Sequence, residues 1–199
     1  LLLSNNVGDT FVYDVGAGIG TRTVALSKMA AVIAFEHDED KLKVLKMNTQ
    51  GKIAPNVMIV PKSLETTDPH AKDIPNLDGQ LMQLPEPTLV CITGDSTRVL
   101  RGMTATMMLI KPVIYIDIAN AEDISYQYSI LKERGYEMYW YACPDFNLNN
   151  FKDNKTDVTN YGFHMNILAL HESVEINDGG IDLPRIDGPN DNWKRFNND

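Results

Sequence analysis

The sequence predicts an α/β fold: a doubly wound, mostly parallel sheet of seven strands with an antiparallel last strand. Three observations carry this. Short apolar runs rich in β-branched and aromatic residues alternate with segments of helical period. The first run, Thr10-Phe-Val-Tyr-Asp14-Val15, ends in a turn with glycine at every second position, Gly16, Gly18 and Gly20, and a helical segment follows. The last two runs, 136–142 and 164–170, have no helical segment between them, as in an antiparallel pair.

Taken in order, strand, glycine turn and helix open the ligand site of a doubly wound fold. The backbone there bends tightly and approaches a ligand with no Cβ in the way. Thr21 suits the N-cap of a helix running to Ala30. The second strand, Ala31-Val-Ile-Ala-Phe35, ends at Glu36. Residues 38–48 form a helix with acids in its first turn, which the helix dipole favours. Asn56-Val-Met-Ile-Val60 is the third strand. Residues 65–87 are polar, proline-bearing and weakly periodic, mainly a loop with room for one short strand or helical turn. Thr88-Leu-Val-Cys-Ile92 is the continuous apolar run of a central parallel strand. Residues 95–109 read as helix. The fifth strand, Pro112-Val-Ile-Tyr-Ile-Asp117, carries proline at its first residue, where it is tolerated. Residues 122–134 form a helix burying Ile124, Tyr128 and Leu131, closed by Gly135. An aromatic strand, a loop rich in Asn and Asp at 143–163, and the last strand follow.

The domain is expected to span 1–171. Residues 172–199 are acidic, with almost no apolar periodicity, and read as a draped or disordered tail without a buried face. Cutting at Glu175 should then leave the melting temperature within a few degrees.

Composition sets bounds. A chain of 199 residues suits one domain and buries about 70% of its extended surface unaided. No apolar run approaches a membrane span, and Leu1-Leu-Leu3 is too short for a signal-peptide core. A net charge of −9 argues against a nucleic-acid partner, whose phosphates need basic surface. Cys91 and Cys143 form no C-x-x-C and read as buried apolar thiols, which points to a reducing, cytoplasmic setting. No H-x-x-x-H or similar spacing occurs, so no metal is expected.

The glycine turn separates two cofactor classes. A dinucleotide fingerprint is G-x-G-x-x-G, whereas this turn is G-x-G-x-G, with Thr21 in place of the third glycine. That disfavours a nicotinamide-dependent oxidoreductase, which stays as a rival. Glu36, an acid at the end of the second strand, suits ribose hydroxyls.

D-V-G-A-G-I-G at 14–20, followed by A-F-E at 34–36, resembles the first two motifs of class I methyltransferases that use S-adenosylmethionine. FkbM-type O-methyltransferases resemble the sequence most. Their pattern is carried further by Leu45-Lys-Met-Asn48, Asn56-Val57, Val99-Leu-Arg-Gly102, Pro112-Val-Ile-Tyr-Ile116, Gly135-Tyr136 and Pro144-Asp-Phe-Asn147. The resemblance runs from about Val7 to Leu170. It implies S-adenosylmethionine as cofactor and a turn of Gly16, Ala17, Gly18 and Gly20 around it. It implies Asp14 at the amino end of the methionine moiety and Glu36 on both ribose hydroxyls. His37, Ser63 and Leu64 would lie against the adenine; an exposed turn residue and an ordinary strand end are the competing readings there. It also implies methyl transfer to a hydroxyl of a small-molecule or glycan-like acceptor, without nucleic-acid or membrane partners.

The fourth strand departs from that pattern. Aligned on Val99-Leu100-x-Gly102, the family's D, E, G and E fall on Cys91, Thr93, Gly94 and Ser96, so three acids are absent. Candidate bases are then Asp117, at the rim of the fifth strand, Asp95, and His164, which a structural role would explain as well. Tyr139, Trp140, Tyr141, Phe146, Phe151 and Tyr161 gather with Asn147, Asn149, Asn150 and Asn160, which suits a polyhydroxylated acceptor. The loop 143–163, with Phe146 and Asn147, is the expected acceptor site; core packing and an Asx-rich loop compete with that reading. A degenerate fold that binds without turnover gains from the absent acids.

Overall fold

Each of the seven apolar runs becomes a strand. The computed structural model describes residues 10–64, 76–118, 124–144, 155–157, 162–174 and 183–193. The strands are β1 (Phe11–Val15), β2 (Ala31–Phe35), β3 (Val57–Val60), β4 (Leu89–Ile92), β5 (Val113–Asp117), β6 (Tyr136–Pro144) and β7 (Phe163–His171). The helices are α1 (Thr21–Leu26), α2 (Glu39–Thr49), α3 (Leu77–Gln80), α4 (Ser96–Arg101) and α5 (Ser125–Lys132), with a π-helical turn at Thr106–Ile110. The sheet order is β3-β2-β1-β4-β5-β7-β6. The pairs from β3 to β5 are parallel, and β7 lies antiparallel between β5 and β6. This is the doubly wound, mostly parallel sheet with an antiparallel last strand that the sequence predicts.

Side chains alternate across the sheet. Val15, Ile92, Ile116, Ile167 and Trp140 share one register row and one face, none more than 3% exposed. Val99 and Leu100 of α4 and Ile130 and Leu131 of α5 pack into the same core. The preceding row, Asp14, Cys91, Tyr115, Leu168 and Tyr139, looks to the other face. There Leu26 of α1 packs with Val12, Val32 and Cys91, and Leu42 and Leu45 of α2 pack with Ala17 and Ala34.

Asp38 is the N-cap of α2, accepting from the Asp40 and Lys41 N–H groups at 3.0 Å each. Two helices differ from expectation. Gly20, left-handed at φ +91°, is the N-cap of α1 in place of Thr21, and the helix runs only six residues. The helix expected over 95–109 breaks after Gly102. Asp78, from α3, accepts from the Ala105 and Thr106 N–H groups at 2.8 Å each and so caps a second piece.

The tail is the larger correction. Residues 184–186 add an antiparallel segment to the outer edge of β6: Trp140 N donates to Pro184 O at 2.8 Å, and Ile186 N to Met138 O at 2.9 Å. Arg185 pairs with Glu137. Ile186 is 2% exposed and belongs to the main core, while Trp193 meets Phe163 edge to face at 5.9 Å. The expected absence of a buried face fails over 183–193, and with it the harmless cut at Glu175. Ile186→Ala should cost about 2–5 kcal/mol and lower the melting temperature by about 5–15 °C. A thermal melt unchanged by Ile186→Ala would show that this segment does not stabilise the fold. No helix among the described residues is long and apolar enough to cross a membrane.

Candidate functional site

The turn after β1 is pinned from several sides. The Gly16 and Ala17 N–H groups both donate to Phe35 O at 3.0 Å, tying the turn to the end of β2. Gly16 sits at φ +73°, and a Cβ there would lie 2.2 Å from Thr93 O, so the turn presses on the end of β4. A Cβ on Gly20 would meet Leu45 Cδ1 at 2.6 Å. Gly18 differs: its φ is +58°, and nothing lies within 4 Å of its Cβ position. Its side toward the cleft is open.

Glu36, 4% exposed, closes the floor beside Gly18. Its Oε2 accepts from Gly18 N at 2.8 Å, and its Oε1 from His37 N at 2.8 Å and Asp38 N at 2.9 Å. A carboxylate offers about four acceptor sites, so one on Oε2 remains. The cleft above encloses about 220 Å³. Of the residues expected to hold a cofactor, Gly16, Gly18, Glu36, His37, Ser63 and Leu64 line it. Leu64 is a buried apolar wall and His37 is largely exposed. Ala17 and Gly20 support the turn without lining the cleft. Lys41, Lys62, Thr93 and Gly94 line it as well, none of them a cofactor contact expected from the sequence.

Asp14 does not reach the cleft as a free carboxylate. Its Oδ1 accepts from Arg22 Nε at 2.9 Å, its Oδ2 from Thr23 Oγ1 at 2.6 Å, and the residue is wholly buried. The expected contact to a ligand amino group is therefore replaced by a brace between β1 and α1. Burial, the largest single influence, would lower the Arg22 pKa, but the charge and hydrogen bond of Asp14, together with Cys91 and Tyr115, outweigh it and raise the pKa, so the guanidinium stays charged. Sequence reasoning missed Arg22. The signal was present: a cation in the first turn of a helix opposes the dipole and needs an acid nearby. Burial pushes the Cys91 thiol up to about 12, so it stays protonated at neutral pH.

The three candidate bases are scattered. Asp95 is the N-cap of α4, accepting from Arg98 N at 3.1 Å and pairing with Arg98 Nε at 3.0 Å, and it does not line the cleft. His164 is exposed near the start of β7, opposite Cys143. Asp117 ends β5, half-buried, one residue past the level of Ile92, and its carboxylate makes no hydrogen bond among the described residues. Of the absent-acid positions on the fourth strand, Cys91 faces α1, Thr93 and Gly94 line the cleft, and Ser96 accepts from Gln127 Nε2 at 3.1 Å. Tyr139, Trp140 and Tyr141 lie in β6; Phe146, Asn147, Asn149, Asn150, Phe151, Asn160 and Tyr161 lie outside the described residues. Among the described residues no three His, Cys, Asp or Glu side chains are grouped to hold a metal ion.

No protein-family model and no curated protein matches this sequence. Solved structures do. A precorrin-6y C5,15-methyltransferase from Geobacter metallireducens matches with a TM-score of 0.57, over 82% of this chain and 80% of its own, at 17% identity. Methyltransferase FkbM from Methylobacillus flagellatus matches with a TM-score of 0.53 at 17% identity, over 84% of this chain and 45% of its own; this chain thus spans less than half of that protein. Magnesium protoporphyrin IX methyltransferase from Synechocystis, solved with bound S-adenosylmethionine, matches with a TM-score of 0.53 at 13% identity, over 83% of this chain and 72% of its own. At such identities the likeness concerns the fold, which is the Rossmann-like fold of class I methyltransferases.

Proposed function

We propose that this chain is an S-adenosylmethionine-dependent methyltransferase acting on a hydroxyl of a small-molecule or glycan-like acceptor. The observation that carries the reading is Glu36: a buried carboxylate fixed by three backbone N–H groups, with one acceptor site left on Oε2, beside a glycine whose outer side is open. That combination fits a ribose, and the Leu64 wall with Ser63 fits an adenine edge. The FkbM-type resemblance of the sequence and the methyltransferase neighbours support the same cofactor.

Bound S-adenosylmethionine supplies an electrophilic methyl group with a neutral thioether as leaving group. The protein's own task is then largely alignment, and well-oriented groups can supply about 7–11 kcal/mol of a barrier. The acceptor hydroxyl must lose its proton. Asp117 is the base we assign, because its carboxylate is unengaged at the rim of β5, whereas Asp95 is committed to capping α4. A positioned base contributes roughly 10²–10⁴-fold. Asp117→Asn should lower kcat by that factor while leaving cofactor affinity unchanged. An Asp117→Asn enzyme with full kcat would remove Asp117 from this role and leave His164 to be tested. A second reading, binding without turnover, is favoured by the Thr93–Gly94 rim, which lacks the acids of the related pattern.

A further inference from the structure

Asn166 of β7 has Asp117 of β5 directly opposite on one side and Tyr141 of β6 on the other. Residues so paired share a face of the sheet, with Cβ atoms about 4.5–5.5 Å apart. Asn166 is 1% exposed. Its Nδ2 donates to His164 O at 3.2 Å; a carbonyl oxygen only accepts, so this contact fixes which end of the amide is oxygen. That oxygen, Oδ1, is buried without a partner. Buried amide oxygens are nearly always satisfied, and an exception calls for a missing donor. Beside it stands the Asp117 carboxylate, also without a hydrogen bond among the described residues.

Two neighbouring acceptors with no donors define what they take: a group that brings two hydrogen-bond donors. Their surroundings narrow it further. Tyr141 and Tyr115, on the same face, meet edge to face at 6.1 Å, and the Arg22 guanidinium lies 6.0 Å from the Tyr115 ring centroid. Aromatic rings beside a carboxylate and an amide suit the apolar face and hydroxyl edge of a sugar ring. The place is also right. Asp117 stands level with Thr93, which lines the cleft, and strands are spaced about 5 Å, so Asn166 lies roughly 10 Å along the sheet from that rim.

We propose that Asn166 Oδ1 and the Asp117 carboxylate accept hydrogen bonds from two adjacent hydroxyls of the acceptor, a vicinal diol of the kind a saccharide carries. This rests on the methyltransferase reading, and the test separates the two. Saturation-transfer NMR is run on the protein saturated with S-adenosylhomocysteine, using methyl glycosides of glucose, mannose and galactose and their 2-deoxy analogues as probes. The expected result is transfer to at least one diol-bearing glycoside and a weaker signal from its deoxy analogue. Asn166→Leu should weaken glycoside binding by about tenfold or more, one charge-free hydrogen bond and its geometry being lost. It should leave S-adenosylhomocysteine affinity unchanged and raise the melting temperature, because the orphaned oxygen is gone; a purely structural asparagine would lower it. Asn166→Ala gives the same binding readout should the leucine not be accommodated. If S-adenosylhomocysteine binds but no glycoside responds, or the variants keep the glycoside signal, the diol site is overturned alone. If S-adenosylhomocysteine does not bind the wild type, both readings fall.

Discussion

Gly18→Val is expected to abolish binding of S-adenosylhomocysteine and leave a folded protein, whereas Gly16→Ala is expected to damage the fold itself. The difference comes from what each added Cβ meets. At Gly18 there is nothing within 4 Å, so the valine occupies the open side of the turn, where a ligand must come. Its penalty is the left-handed backbone, about 1–3 kcal/mol, or roughly 2–10 °C of melting temperature. At Gly16 the Cβ would lie 2.2 Å from Thr93 O, a backbone atom of the adjoining strand end. The turn or the strand must then shift, on top of a φ of +73°, for a combined cost of about 3–5 kcal/mol. Melting curves and calorimetric titrations of the two variants check this together. Normal binding by Gly18→Val would place the nucleotide elsewhere.

The second large effect is at Glu36. Its replacement by alanine removes the acceptor of a ribose hydroxyl, a charge-assisted hydrogen bond of about 1.5–3 kcal/mol, so affinity should fall roughly 10- to 100-fold. The expectation of two ribose hydroxyls on this carboxylate reduces to one, because three of its acceptor sites serve Gly18, His37 and Asp38. Glu36→Gln should be nearly as harmful. In either orientation the amide nitrogen faces a backbone N–H, either that of Gly18 or those of His37 and Asp38. Both variants should also melt earlier, since N–H groups lose their partner. Unchanged affinity in Glu36→Ala would remove Glu36 from the ligand site.

The legible parts of this fold are those written in side-chain pattern. Apolar runs marked all seven strands, Asp38 with its following acids marked the start of α2, and the glycine spacing with Glu36 marked the cleft. What escaped is written in partners far along the chain. The helix break after Gly102 depends on Asp78, which supplies caps from α3. The docking of 184–186 rests on backbone hydrogen bonds to β6 and one apolar side chain, Ile186, which no periodicity announces. Asp14 looked like a ligand for the amino group of the cofactor's methionine moiety because its partner, Arg22, sits eight residues on, in a segment read only for its apolar face. Asn166 is a polar side chain inside the apolar run 164–170, a signal that a reading of strand interiors for packing passes over.

The central claim is that the cleft between Gly18 and Glu36 holds S-adenosylmethionine. Calorimetric titration of the wild-type chain with S-adenosylmethionine, S-adenosylhomocysteine and NAD tests it most directly. The account predicts that the first two bind, that Gly18→Val abolishes both, and that NAD does not bind. Tight binding of NAD with no heat from the other two would contradict it.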